Sequence, residues 1–138
     1  MKDRITVQTK INATIDKVWE FYTEPKYITQ WNFATHQWCC PSAKNDLQKD
    51  GEFNLRMEEK DGSMEFDFTG KYEKVVPKEL ISYKTGDGRS VDVEFLKNEN
   101  EVHLKQTFDA EGTNSDEQQK KGWQTILDNF KKYAESKS

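Results

Sequence analysis

Residues 115–135 read SDEQQKKGWQTILDNFKKYAE. Within them Trp123, Ile126, Leu127, Phe130 and Ala134 recur at spacings of three and four, which sets them on one side of a helix. Asp128, Lys131, Lys132 and Glu135 fall on other sides. Ser115 followed by Gln118 has the form of a capping box and marks where the helix starts. A stripe with two large rings needs an apolar surface to lie on, so the rest of the chain has to supply one.

The segment before the helix supplies a sheet. Phe53, Leu55 and Met57 alternate with Asn54, Arg56 and Glu58. Asp61-Gly62 then signals a hairpin turn. Met64, Phe66, Phe68, Gly70 and Tyr72 alternate with Glu65, Asp67, Thr69, Lys71 and Glu73, and Gly70 suggests a bulge or bend. Ile81 and Tyr83 belong to a further strand over 79–85, followed by the turn Asp87-Gly88. Val91, Val93 and Phe95 share a face, and after Asn98-Glu99-Asn100 so do Val102, Leu104, Gln106 and Phe108. One apolar and one charged face per strand is the signature of an antiparallel sheet wetted on one side.

Further upstream, Ile5, Val7 and Ile11 alternate in a first strand over 4–11. Ile15, Val18, Trp19 and Tyr22 have helical spacing, with Thr14 as N-cap. Pro25 ends that helix and opens a second short one carrying Tyr27, Ile28 and Trp31. Residues 32–50 show no period and read as a long irregular loop. The fold class is therefore α+β: a six-stranded curved antiparallel sheet wrapped on a long C-terminal helix, with two short helices after strand 1. A length of 138 residues fits one domain over 1–138. A single helix does not fill a concave sheet flush, so a cavity between the two is expected.

Composition narrows the function. Four Trp, five Tyr and eight Phe among 138 residues mean a folded chain with a bulky core, despite 33% charged residues. The net charge is −4 and the bases are interleaved with acids, which argues against nucleic acid as a partner. No apolar run approaches the roughly 20 residues that span a bilayer, and the N-terminus lacks the apolar core of a signal peptide. No membrane association is expected, and a cytoplasmic location is. Cys39 and Cys40 are adjacent, a poor geometry for a disulfide, and read as reduced thiols.

The ordered segments TIDKVWEFYTEP (14–25), YITQW (27–31), the DG-F-x-x-x-M run (Asp50, Gly51, Phe53, Met57), F-x-G-x-Y-x-x-V-x-P (68–77), LISY (80–83) and GWQTILDNFKKY (122–133) cover nearly the whole chain. Together they resemble the START-related helix-grip superfamily. Within it they resemble the branch named after the C-terminal domain of the heat-shock-protein-ninety ATPase activator, which also carries a polyketide cyclase-like label. The resemblance implies a pocket for apolar or aromatic small molecules, used by different relatives for carriage, sequestration, cyclisation or chaperone assistance. The chaperone activators carry an additional N-terminal domain that these residues do not supply, so direct chaperone activation is not the leading expectation.

Two readings of the inward residues stand side by side. As a ligand pocket, the strands give Phe53, Leu55, Met57, Phe66, Phe68, Tyr83, Val93, Phe95 and Gln106. The helix adds Trp123, Ile126 and Phe130, while Trp38, and with it Trp31 if not simply part of its helix stripe, could act as a lid or a stacking wall. As a plain core, the same side chains simply fill one another's gaps. Gln106 in an apolar file, with the hydroxyls of Tyr72 and Tyr83, favours the pocket, because buried polar atoms need partners. His36, Cys39 and Cys40 lack a fourth ligand for zinc, so no metal or other cofactor is expected. No catalytic residue is assigned. Asp67, Arg56, Glu94 and Asp92 fall on outward faces, away from any substrate, and His103 reads as a surface residue. The leading expectation is a monomeric, non-enzymatic binder of a small apolar or aromatic ligand. The alternatives are a cyclase- or hydrolase-type enzyme using Tyr72, Tyr83 or Gln106 to polarise a carbonyl, and a chaperone-partner module.

Overall fold

A computed structural model describes residues 4–33, 35–112 and 115–137; residues 1–3, 34, 113–114 and 138, which include the start of the N-terminal segment and one position of the 32–50 stretch, lie outside the description. The element order is β1 (Arg4–Ile11), α1 (Ile15–Thr23), α2 (Pro25–Trp31), β2 (Trp38–Asn45), β3 (Glu52–Glu59), β4 (Glu65–Val76), β5 (Leu80–Thr85), β6 (Ser90–Asn98), β7 (Glu101–Asp109) and α3 (Asp116–Lys137). The α+β class, the curled antiparallel sheet and the closing helix follow the sequence reading. The strand count does not: there are seven strands in the order β1-β7-β6-β5-β4-β3-β2.

The additional strand is β2, inside the stretch read as a loop. Its pairing with β3 shifts between Cys39 and Ser42, leaving Pro41 in the irregularity. Proline cannot donate to a ladder and is confined to edges and bulges. The shift also breaks the alternation of side chains, so no period of two survives in the sequence. The bend in β4 is likewise displaced from the expected Gly70. Its register with β5 shifts between Tyr72 and Lys74.

Local chemistry explains the ends of the elements. Thr14 Oγ1 accepts from Lys17 N at 3.4 Å and caps α1. Ser115 Oγ accepts from Gln118 N at 3.2 Å ahead of α3. Gly62 (φ 80°) and Gly88 (φ 87°) take the left-handed backbone their hairpin turns require. The wet face of the sheet carries an ion-pair network in which Arg56 meets Glu58, Glu65 and Asp67.

The helices are placed unevenly over the sheet. α3 lies along β1 at one edge, α2 lies against β2 at the other, and α2 and α3 touch each other. Polar side chains of α3 clasp the β1 edge: Gln124 Nε2 donates to Gln8 O at 3.1 Å, Lys131 Nζ donates to Lys10 O at 2.6 Å, and Glu135 Oε2 accepts from Asn12 N at 2.8 Å. These bonds cover backbone groups that an open edge would leave bare. The helices thus form an arch springing from the two edges. Among the described residues no helix is long and apolar enough to cross a membrane.

Candidate functional site: a cavity under the helical arch

Beneath the arch lies a cavity of about 380 Å³. That falls within the usual range of small-molecule sites, roughly 300–1,000 Å³. Its floor is the inward face of β3, β4 and β5, with Phe53, Leu55, Met57, Phe68 and Tyr83. Trp123 and Ile126 of α3 form one wall, and Ile28 and Trp31 of α2 form another. The wall exists because α3 turns two different flanks to two neighbours. Leu127, Phe130 and Ala134 are sealed in the core, whereas Trp123 and Ile126 stay part-exposed toward the open space. Phe68 and Trp123 meet edge to face, 6.4 Å apart between ring centres.

The sequence-derived residues therefore separate into two groups. Phe53, Leu55, Met57, Phe66, Phe68, Tyr83, Gln106, Trp123 and Ile126 line the cavity. Val93, Phe95 and Phe130 are buried in solid packing instead: Phe95 lies edge-on to Trp19 and Tyr22, and Phe130 to Tyr22 and Trp31. They sit where α1 and α2 fill the sheet's concavity. Trp38 does not line the cavity. It packs on Phe66 at 5.8 Å, outside the mouth. Phe66 is 48% exposed, a rim residue more than an inward one, because its part of β4 projects beyond the arch.

Polar groups inside the cavity differ in how they are satisfied. Gln106 Nε2 donates to the Tyr22 hydroxyl at 2.5 Å, so the polar position in the apolar file is answered from α1. The Tyr72 hydroxyl donates to Asn45 Oδ1 at 2.5 Å, and Asn45 Nδ2 donates to Thr23 O at 2.6 Å. The third phenol, Tyr83, has ring contacts with Phe53 and Tyr72 but no hydrogen bond to its hydroxyl among the described residues. Burial pushes all three phenols above the ordinary tyrosine range. At neutral pH each is a neutral donor.

The raised values predict an alkaline limit to stability. A phenol whose folded value lies above its unfolded value of about 10 contributes stability that is fully present below pH about 10 and is lost as pH rises toward the folded value. Unfolding free energy measured against pH should be level through neutrality and fall above about pH 10. Phenolate absorbance should appear together with unfolding. Ionisation of all five tyrosines while the fold stays intact would contradict the burial of Tyr22, Tyr72 and Tyr83.

Several cavity groups escaped the sequence reading. Tyr22 and Ile28 read as plain helix stripe, and Trp31 reads first as stripe and only second as a lid beside Trp38. Asn45 was hidden with β2. Arg89 and Glu111 also line the cavity, against the expectation that charges point outward. Arg89 could have been found by counting: it pairs across the turn with Thr85, which shares a face with Tyr83. Of the remaining singled-out residues, Cys39 and Cys40 are free thiols, Cys39 Sγ reaching Glu58 O and Cys40 Sγ reaching Ser42 O, each at 3.5 Å. His103 is on the outer face, 2.7 Å from Gln8 Oε1.

Comparison with known proteins places these features in a family. The family model described as "Activator of Hsp90 ATPase homolog 1-like protein" matches residues 12–135. Among solved structures, the chain is 38% identical to the AHSA1-like protein from Aeromonas hydrophila, with a TM-score of 0.92 over 98% of this chain and 94% of that one. It is 43% identical to a protein from Cytophaga hutchinsonii, with a TM-score of 0.84 over 97% and 93% of the two chains. A protein from Chromobacterium violaceum shares the fold, with a TM-score of 0.84 at 17% identity over 96% of each chain. No curated protein matches the sequence.

Proposed function

The chain belongs to the family of Activator of Hsp90 ATPase homolog 1-like proteins, and on that premise we propose that it binds a small apolar or aromatic molecule, non-covalently, in the cavity between sheet and α3. The observation that carries the reading is the space itself. About 380 Å³ stays open under the helical arch, lined mostly by apolar and aromatic side chains. An apolar ligand would remove that surface from water at about 25 cal/mol per Å² buried. Three protonated phenols and the amides of Asn45 and Gln106 supply polar groups that can orient a bound molecule.

The test is titration with apolar and aromatic compounds while following amide chemical shifts, together with native mass spectrometry of freshly purified protein. Shifts clustered at residues 53–57, 66–68 and 123–130, or a retained small-molecule mass, are the expected results. Shifts scattered over the outer face, or none with any compound, would remove the reading. The family's description favours a second reading, a chaperone partner. Stimulation of a heat-shock-protein ATPase by the purified chain would support it, and its absence would dismiss it.

A further inference from the structure

Among the cavity's polar groups, Tyr83 and Arg89 share the concave face and carry donors that no described residue accepts. Tyr83 is 8% exposed, yet no described residue accepts from its hydroxyl. Arg89 lies past the hairpin turn, where Thr85 N donates to Arg89 O at 2.8 Å and Arg89 N donates to Thr85 Oγ1 at 3.0 Å. That pairing puts Arg89 on the concave face, and its side chain is only 16% exposed. Its Nε is taken by Asp87, at 2.9 and 3.1 Å from the two carboxylate oxygens. Among the described residues its two Nη groups meet no acceptor. Of the remaining phenols, Tyr72 donates to Asn45 Oδ1 and Tyr22 accepts from Gln106 Nε2.

Among the described residues no fully buried side-chain N or O lacks a partner, so these donors open onto the cavity, where an acceptor oxygen can reach them. We propose that the ligand is an apolar or aromatic molecule ending in a carbonyl or carboxylate oxygen, which sits between the Arg89 guanidinium and the Tyr83 hydroxyl while its body lies against Phe53, Phe68, Trp123 and Ile126. This deepens the binding reading and rests on it. The guanidinium fork offers two parallel N–H donors, the arrangement that suits a carboxylate. Asp87 already offsets the charge of Arg89, so a neutral carbonyl is also accommodated. Glu111 also lines the cavity, and its carboxylate disfavours a second acidic group on the ligand.

The experiment compares four probes of equal chain length: a medium-chain carboxylic acid, the methyl ketone, the alkane and the primary alkylamine. Binding is followed by Trp fluorescence and amide shifts on the intact chain. Acid and ketone are expected to bind about tenfold tighter than the alkane, the usual worth of one or two good hydrogen bonds, and the amine weakest. Tyr83→Phe and Arg89→Met should each erase most of that advantage, read as the ratio of acid to alkane affinity within each variant. Equal affinity for all four probes would overturn the oxygen assignment and leave the cavity reading standing. Binding of none of them would overturn both. Since the probe comparison is made on the unaltered protein, it decides the matter even if one variant folds poorly. Retention of the acid's advantage in both folded variants would also sink the proposal.

Discussion

Phe130→Ala should cost about 3–5 kcal/mol of unfolding free energy, the range for truncating a buried aromatic side chain. Phe130 is fully buried and is gripped by two rings, Trp31 at 4.7 Å and Tyr22 at 5.2 Å. Those rings belong to α2 and α1, so Phe130 is where α3 is pinned to the other half of the arch. Its loss leaves a void that three helices cannot close without moving. Denaturant unfolding monitored by circular dichroism measures the change. The informative control is Ile126→Ala, one turn earlier on the same helix. Ile126 already faces open space, so its truncation creates little new cavity and should cost clearly less. Equal losses for the two variants would mean that the distinction between core flank and cavity flank of α3 is wrong.

That distinction also marks the limit of what the sequence discloses. Helical spacing gathers Trp123, Ile126, Leu127, Phe130 and Ala134 into one stripe, and the stripe is real. Spacing alone does not say that α3 leans on β1 and leaves the central strands uncovered. That depends on the second support, α2 against β2, and β2 was hidden by the Pro41 irregularity. Alternation likewise found Phe53, Leu55, Met57 and Phe68 on the inner face, but assigned Val93 and Phe95 to the same space. The difference between them is not in their own strands. α1 brings Trp19 and Tyr22 down onto Phe95, and no helix comes down onto Phe68 as closely. Arg89 was missed because the strand seemed to begin at Val91, whereas the hairpin pairing continues to Thr85 and Arg89. The fold was thus carried by periodicity. The boundary between core and cavity was set by where the helices rest, a long-range property.

Gly70→Ala is expected to close the cavity from below. Gly70 pairs directly with Phe53 across β3 and β4. A methyl group at Gly70 would stand 2.4 Å from Phe53 Cε2 and 2.5 Å from Cζ, with Lys84 O at 3.0 Å. The aromatic ring therefore lies flat over the glycine, using the space a side chain would take. Phe53 has little freedom to yield sideways, since Tyr83 at 4.9 Å, Tyr72 at 5.5 Å and Phe68 at 5.6 Å surround it. The open direction is upward, into the cavity. Overpacking of this kind costs about 1–3 kcal/mol, and the displaced ring would occupy ligand space. Affinity for an apolar probe should fall at least about tenfold, equivalent to about 1.4 kcal/mol. The compensating change is Phe53→Leu in the same chain, which removes the ring that the methyl strikes. In the double variant stability and binding should both recover relative to Gly70→Ala alone, a coupling that residues in contact show and distant ones do not. If Gly70→Ala binds and unfolds like the parent, or if Phe53→Leu gives no rescue, then Phe53 does not form the floor of the cavity in the way its contacts with Gly70 and Tyr83 require.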